Sequence, residues 1–378
     1  MLAKAPDWSA LEIYQNTIRR EEFERLLTTV FTTGDAWKSF IEITDIEARI
    51  KTRNSASKSV FILHFAPTES SVPHQWRTAS ELPPTGNKTP LAGLKIAIDP
   101  GHIGGKWAEM EERWFVVGED KPVQEGDMTL QVANLLKPRL EALGATVTLV
   151  REKLEPVTSL RPEALLDIAK NSAPGDSPQK LAERLFYRTA EIRARADLVN
   201  RTLKPDLVLC LHFNAEAWGD PNHPILIDRT HFHIVLNGAY NDDEVLLADQ
   251  RFALLQKLLQ RTHQEEALVG ATIANMFAQI TQLPAYAYPA DSKSVLPIDG
   301  HPYLWARNLL ANRLYDCPVI FLEPYVMNST IDYPRIQAGD YDGLREIAGK
   351  MHPSIFREYA DALAAGLAKH YALTRKTQ

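Results

Sequence analysis

Three apolar segments of this chain each end in a titratable residue, and this repeated feature limits the folds that the chain can adopt. The segments and the residues that follow them are 94–98 with Asp99, 207–211 with His212, and 319–322 with Glu323. Apolar residues at helical spacing lie between these segments, over 128–143 and near 188–200. Strands that alternate with helices predict an α/β domain, with a mostly parallel or mixed sheet flanked by helices on both faces.

A proline-rich stretch divides the chain. Five prolines lie within residues 67–90, and we predict a linker there, because proline fixes φ and offers no amide donor to a strand. Residues 1–66 combine helical spacing with short strand-like runs, which predicts a small α+β domain whose role the sequence does not indicate. Residues 91–378 form the predicted main domain. Its long insertion, at about 220–317, is either a lid over the site or a structural extension.

Composition excludes several kinds of partner and site. Forty-two basic and 48 acidic residues give a formal charge of −6, which leaves no basic excess to bind nucleic acid. No segment approaches the ~20 apolar residues of a membrane span. Cys210 and Cys317 are the only cysteines, and we predict two free thiols, since their expected offset of ~13 Å along the strands exceeds the ~7 Å limit for a disulfide. A metal site must therefore use histidines and carboxylates.

Four residues form the candidate active site. His102 follows the first strand and a Pro-Gly turn, His212 and Glu323 end the other two strands, and Glu125 stands just ahead of the first helix. Two imidazoles and one carboxylate are the ligands of a catalytic zinc that keeps its fourth position open for water. Glu323 is then placed to take the water's proton and return it to a leaving amine. Other acidic residues close to Glu125 are rivals for its role: Glu109, Glu111, Glu112 and Glu119.

The order of these motifs resembles a known family. The motifs are Ile-Asp-Pro-Gly-His at 98–102, Glu125 ahead of Asp-Met-Thr-Leu at 127–130, His-Phe-Asn-Ala at 212–215, and Pro-Val-Ile-Phe-Leu-Glu at 318–323. Together they resemble the zinc-dependent N-acetylmuramoyl-L-alanine amidases, from about residue 91 to 325. The resemblance implies one Zn²⁺ per chain, bound by His102, Glu125 and His212, with Glu323 as the catalytic carboxylate. Residues 91–378 then become the catalytic domain.

Five further residues are candidates for contacting substrate or for orienting the ligands: Asp99, Arg195, Asn214, His233 and Arg307. Asp99 directly precedes the turn to His102, where it suits a turn former or a partner of a ligand histidine. Arg195 matches a spacing that is familiar from the family. His233 shares one face of a strand with His231, a pair that suits an ordinary strand better than a metal site.

The resemblance implies hydrolysis of the amide bond between N-acetylmuramic acid and L-alanine in peptidoglycan. Two alternatives stay open: a zinc amidohydrolase or deacylase that acts on soluble cell-wall fragments or another acyl amide, and a catalytically silent module that binds cell wall. The expected partner is peptidoglycan or a muropeptide, and a protein regulator is a further possibility. Because that substrate lies outside the cytoplasm, we expect a periplasmic or extracellular protein whose signal peptide is absent from this chain, rather than a cytoplasmic one.

Overall fold

The computed structural model describes residues 5–53, 59–68, 70–85, 88–172 and 177–375; residues 1–4 of the predicted N-terminal domain and residues 69, 86 and 87 of the predicted linker lie outside it. The strands are β1 (Ile41–Ile43), β2 (Glu47–Lys51), β3 (Val60–His64), β4 (Lys95–Pro100), β5 (Trp114–Phe115), β6 (Val123–Gln124), β7 (Thr146–Leu149), β8 (Leu207–Leu211), β9 (Phe232–Leu236), β10 (Leu296–Pro297), β11 (Leu304–Ala306), β12 (Val319–Pro324), β13 (Arg345–Ile347) and β14 (Lys350–His352). The helices are α1 (Arg20–Leu26), α2 (Glu125–Ala142), α3 (Leu166–Ser172), α4 (Pro178–Arg184), α5 (Glu191–Leu198), α6 (Asp242–Val245), α7 (Ala248–Gln260), α8 (Thr262–Thr281), α9 (Leu310–Leu314), α10 (Tyr333–Gln337) and α11 (Ile355–Thr374).

A seven-stranded mixed sheet runs through the main domain in the order β10-β11-β9-β12-β8-β4-β7. Strands β7, β4, β8 and β12 are parallel, whereas β9 runs antiparallel to β12 and β10 antiparallel to β11. This confirms the predicted α/β class. The parallel run matters for the site, because the carboxyl ends of adjacent parallel strands meet at one edge of a sheet.

Helices cover both faces of this sheet, as the sequence predicts. Side chains alternate between the faces along each strand, so Leu209 and Leu211 pack in one apolar cluster while Val208 and Cys210 pack in another. Helices α2, α8 and α11 lie on the first face, and α5 and α9 on the second. Both cysteines are buried and free, which confirms that prediction. Among the described residues, no helix combines the length and apolar character needed to span a membrane.

The N-terminal residues form a small unit around a three-stranded antiparallel sheet, β1-β2-β3. Its apolar core does not end within the unit. The buried side chains of β1, β2 and α1 share one cluster with Leu254, Leu255, Leu258 and Leu259 of α7. The small α+β domain is therefore present, and its core is continuous with a helix of the predicted insertion. The exact boundaries of the domains and linker remain predictions.

The segment predicted as an insertion, residues 220–317, contributes three strands to the main sheet. Strand β9 pairs directly with β12, and β11 and β10 extend the sheet beyond it. Helix α8 of the same segment packs against α11 and the sheet, and α7 packs against the N-terminal unit. Most of this segment is thus structural extension, which is one of the two alternatives that its sequence left open.

Candidate active site

Three adjacent strands and one helix bring the four predicted site residues together. Strand β8 lies between β4 and β12, and Leu211 is in register with Pro100 on one side and Leu322 on the other. His212 therefore follows the middle strand at the level where Glu323 ends β12, and His102 lies two residues beyond β4. Glu125 is the first residue of α2. The sequence placed that helix three residues later, so the carboxylate in fact lies within the first helical turn.

His102, Glu125 and His212 converge in a compact cluster. Nε2 of His102 lies 3.1 Å from one carboxylate oxygen of Glu125, and Nδ1 of His212 lies 3.0 Å from the other. One donor atom from each residue lies within 4.8 Å of the other two, the only such group of three that the described part of the chain contains. Glu125 is 3% exposed, and it also accepts hydrogen bonds from the amide of Phe213.

The charges of this cluster are strongly coupled to their surroundings. Burial opposes ionisation of Glu125, but the two histidines outweigh it and lower the pKa of this carboxyl well below its usual value. Burial also lowers the pKa of His102, yet Glu125 and Glu111 more than offset this and raise it to about 9. The pKa of His212 is lowered, mainly because the ring is buried. Without a bound cation, His102 is the protonated member of the cluster at neutral pH.

Arg195 holds the turn that carries His102. Its guanidinium donates to the carbonyl oxygens of Pro100 and His102, both at 2.7 Å, and to the carboxylate of Asp99 at 2.8 Å. A second carboxylate, Glu191, accepts from Nε at 2.7 Å. His102 itself has φ +58°, a left-handed conformation that is strained for this residue and needs such external support. The structure therefore places Asp99 and Arg195 behind the turn that carries His102, which their hydrogen bonds hold in place.

Glu111 is a site residue that sequence reasoning did not single out. Its carboxylate accepts from the amides of Ile103 and Gly104 at 2.9–3.1 Å and lies 3.7 Å from Nδ1 of His102. A carboxylate on the outer nitrogen of a ligand histidine sets the tautomer and ring orientation. The sequence signal was only that Glu111 lies in an acidic loop, where it ranked as a rival of Glu125. The two carboxylates turn out to occupy opposite nitrogens of one imidazole.

Glu323 stands beside the cluster and faces the cleft. It is half-buried and lines both cavities that meet at His102 and His212. Burial and the negative charge of Glu125 raise the pKa of Glu323 to about 8, against the lowering effect of nearby positive groups such as Arg113. Arg113, another residue missed in the sequence, lies 3.3 Å from Glu125. A carboxyl whose pKa lies near neutrality can both accept and donate a proton.

The remaining predicted residues, Asn214, His233 and Arg307, lie around Glu323 and outside the cluster of His102, Glu125 and His212. His233 is in register with Glu323 across the β9–β12 pair, and its Nδ1 lies 3.4 Å from the side-chain nitrogen of Asn214. Its Nε2 lies 3.0 Å from the hydroxyl of Tyr288. Arg307 is exposed, lines the same cavity as Glu323 and packs over the ring of Tyr288. These residues surround Glu323 and stand apart from the three-residue cluster.

Two cavities extend from the cluster in different directions. One, of about 440 Å³, is lined by the segment from His212 to Gly219 together with Glu125 and Arg113. The other, of about 380 Å³, is lined by residues of α5 and α9 and by the turn after β4. His102, Arg113, His212 and Glu323 line both. A substrate that crosses the cluster can therefore lie in a continuous cleft with Glu323 at its middle.

An α/β sheet whose strand ends gather two histidines and two glutamates at an open cleft has the residues and the position of a hydrolytic site that could hold a metal ion. In a comparison with known families, residues 96–225 match the family model described as N-acetylmuramoyl-L-alanine amidase. This match confirms the resemblance stated above and the predicted enzyme, an N-acetylmuramoyl-L-alanine amidase that acts on peptidoglycan. It contains His102, Glu125 and His212 and ends before Glu323, so the roles of the individual residues remain predictions.

Several solved amidase structures are similar to the chain at low sequence identity. The amidase Ami1 from Mycobacterium smegmatis is 14% identical, with 75% of this chain and 99% of that chain covered and a TM-score of 0.41. The CwlD amidase from Clostridioides difficile, solved in complex with the GerS lipoprotein, is 14% identical, with 74% and 100% covered and a TM-score of 0.42. No curated protein matches the chain.

Proposed function

We propose that this amidase is zinc-dependent and that it cleaves the amide between N-acetylmuramic acid and L-alanine with His102, Glu125 and His212 as metal ligands and Glu323 as general base and acid. One observation carries the proposal. Two imidazole nitrogens and a buried carboxylate converge at the carboxyl edge of the sheet, directly beside a half-buried carboxyl that lines both halves of the cleft.

The donor atoms fit a zinc ion in number, type and spacing. Zinc in catalytic sites takes nitrogen and carboxylate ligands at about 2.0–2.2 Å, which in a tetrahedron places neighbouring donors roughly 3.4 Å apart. The carboxylate oxygens of Glu125 lie 3.1 Å from Nε2 of His102 and 3.0 Å from Nδ1 of His212. Glu111, at the outer nitrogen of His102, supplies the supporting carboxylate that ligand histidines usually have.

The chain's own residues supply orientation and proton transfer. A bound Zn²⁺ would lower the pKa of a water molecule to about 7 and polarise the scissile carbonyl. Glu323 accepts a proton at its carboxylate as the nucleophile attacks, and then donates it to the nitrogen of the departing L-alanine. Arg195 and Glu111 hold the His102 turn, so the imidazole needs little reorganisation during the reaction.

The proposed location of the enzyme follows from its substrate. Because peptidoglycan lies outside the cytoplasm, we propose that the protein acts in the periplasm or outside the cell. A protein regulator remains a prediction from the sequence, since no contact or surface among the described residues identifies one.

Digestion of purified sacculi by the zinc-loaded chain tests this proposal. We expect release of stem peptides with a free L-alanine amino group, detected by mass spectrometry, and about one zinc per chain by elemental analysis. Glu323→Gln should keep the zinc and lose at least about a hundredfold in rate, as expected for removal of a general acid-base group. The matched control is Glu346→Gln in the exposed β13–β14 hairpin, which should match the unaltered enzyme. Near-normal activity of Glu323→Gln, or no hydrolysis by the zinc-loaded chain, would contradict the proposal.

A further inference from the structure

The smaller cavity differs from the larger one in the balance of its charges. Three acidic residues line it besides Glu323: Asp99, Glu111 and Glu191. All three are buried and already paired within the protein. Asp99 and Glu191 bind the guanidinium of Arg195, and Glu111 binds the amides after His102. None of the three therefore presents a free negative charge to a ligand in this cavity.

Two cations line the same cavity without a carboxylate partner. Arg188, in the helical segment before α5, and Arg307, just beyond β11, are both exposed. Within the part of the chain that the structure describes, neither lies within 4.0 Å of an acidic oxygen. Each packs over a tyrosine ring instead, Arg188 at 5.7 Å from Tyr187 and Arg307 at 6.0 Å from Tyr288. We call this cavity, with Arg188 and Arg307, the arginine arm.

We propose that the arginine arm binds a carboxylate of the stem peptide and so fixes which side of the scissile amide points into it. This inference rests on the proposed function. The N-acetylated sugars of the glycan strand carry no charge, and the lactyl carboxyl of muramic acid is consumed in the scissile amide. The carboxylates of the substrate therefore belong to the peptide, and guanidinium groups are the side chains that best match a carboxylate.

The lining of the larger cavity is consistent with a substrate whose peptide lies in the arginine arm and whose glycan lies on the other side. It contains Trp218, and the neighbouring depression is lined by Trp218 and Trp114 together. Among the described residues that line the larger cavity, Arg113 is the only arginine, and its guanidinium is already 3.3 Å from Glu125. Indole rings present flat apolar surface with a single donor, which suits a neutral sugar better than a carboxylate. The glycan would then lie on the tryptophan side of Glu323 and the peptide on the arginine side.

A matched pair of small substrates tests the proposal. N-acetylmuramoyl-L-alanyl-D-isoglutamine has one free carboxylate, the γ-carboxylate of its peptide, and its γ-amide has none, so the two differ only by that carboxylate. We expect the unaltered enzyme to have the higher kcat/KM for the acid. Arg188→Gln and Arg307→Gln should each reduce this preference by roughly three- to fivefold, the range of a partly exposed charge pair. The double variant should remove the preference, mainly through KM, while hydrolysis of the amide form continues.

Two further variants make the result specific. Arg307→Lys keeps the charge without the planar fork and should retain part of the preference. Arg201→Gln, at an exposed arginine that pairs with Asp197, is the matched control and should retain all of it. An unchanged preference in the double variant, or equal kcat/KM for acid and amide in the unaltered enzyme, would contradict the proposal that the arginine arm binds a peptide carboxylate. Absence of hydrolysis with every substrate and with sacculi would instead contradict the proposed function.

Discussion

Two side chains, His102 and Glu323, should together release nearly two protons at pH 7 when zinc binds to the cluster. In the cation-free protein the pKa of His102 is raised to about 9 by its two glutamate neighbours, against the effect of burial, and burial with the charge of Glu125 raises the pKa of Glu323 to about 8. At pH 7 these values leave about 99% of His102 and about 90% of Glu323 protonated. A metal ligand needs the free lone pair of its nitrogen, and a nearby dication favours the ionised carboxylate. Both protons therefore leave when zinc binds.

The two contributions can be separated by substitution. Glu323→Gln removes one titrating group and leaves the proposed ligands in place, so this variant should release about one proton fewer per zinc at pH 7 than the unaltered protein. Glu111→Gln removes one of the two carboxylates that raise the pKa of His102. Its His102 should therefore lose its proton at a lower pH than in the unaltered protein. The difference should be clearest at pH 8, where the unaltered His102 is still about 90% protonated.

Isothermal titration calorimetry measures this directly. The observed enthalpy of zinc binding, plotted against the ionisation enthalpy of several buffers, gives the number of protons released as its slope. The apparent affinity should also rise with pH until about pH 9, because fewer protons then compete with the metal. A slope below about half a proton at pH 7, with one zinc bound per chain, would refute the assigned protonation states. Equal slopes for Glu323→Gln and the unaltered protein would refute the part assigned to Glu323.

Three further predictions concern the support of the site and the stability of the fold. Arg195→Met leaves two buried carboxylates without their cation, so urea denaturation should show a loss of about 3–5 kcal/mol in the free energy of unfolding. A loss under about 1 kcal/mol would argue against Arg195 as the partner of these carboxylates. A methyl group in Gly101→Ala would clash with the ring of His212. Because the ring must then move, chelator competition should show at least tenfold weaker zinc binding, and an unchanged affinity would contradict this packing. Burial lowers the pKa of His263 to about 4, below its unfolded value of about 6.5, so this residue stabilises the fold above pH 6.5 and the contribution is lost as pH falls towards 4. Between pH 7 and pH 5 the loss is about 2 kcal/mol, and His263→Leu should remove it from the pH profile of unfolding while the exposed-site control His223→Leu should not.

The parts of the fold that the sequence predicts are those where one local pattern has one structural solution. The segments before Asp99, His212 and Glu323 are apolar except for the exposed Lys95, as strands buried on both faces usually are, and all three are neighbours in the sheet. Strands β9, β10 and β11 are different. Two of them are three residues or shorter, and the antiparallel direction of β9 depends on a long connection that no local pattern reports. The same limit explains why residues 220–317 read as an insertion.

The site follows the same division. The three proposed ligands and Glu323 each belong to a motif at a strand end or helix start, where the direction of the chain decides where the side chain lies. Glu111 and Arg113 belong to a loop with several acidic rivals, and only the tertiary contact with His102 or Glu125 distinguishes them. The positive φ of His102 is likewise invisible in the sequence, because neighbouring glycines were the more obvious residues for the turn. Residues whose role depends on a remote partner are therefore the ones that the sequence missed.

The position of β9 changes how residues 220–317 and the N-terminal unit relate to catalysis. Strand β9 pairs with β12 from Phe321 to Pro324, so removal of this segment would expose the edge of the strand that carries Glu323, the proposed catalytic carboxylate. Helix α7 of the segment shares the apolar core of the N-terminal unit, and the ammonium of Lys257 in α7 donates to the carbonyl of Cys317, just before β12. In α8, Glu266 accepts from the amide of Val319, the first residue of β12. The N-terminal unit, α7 and β12 thus form one packed body, and the contacts of the N-terminal unit support a role in bracing the strand that carries Glu323.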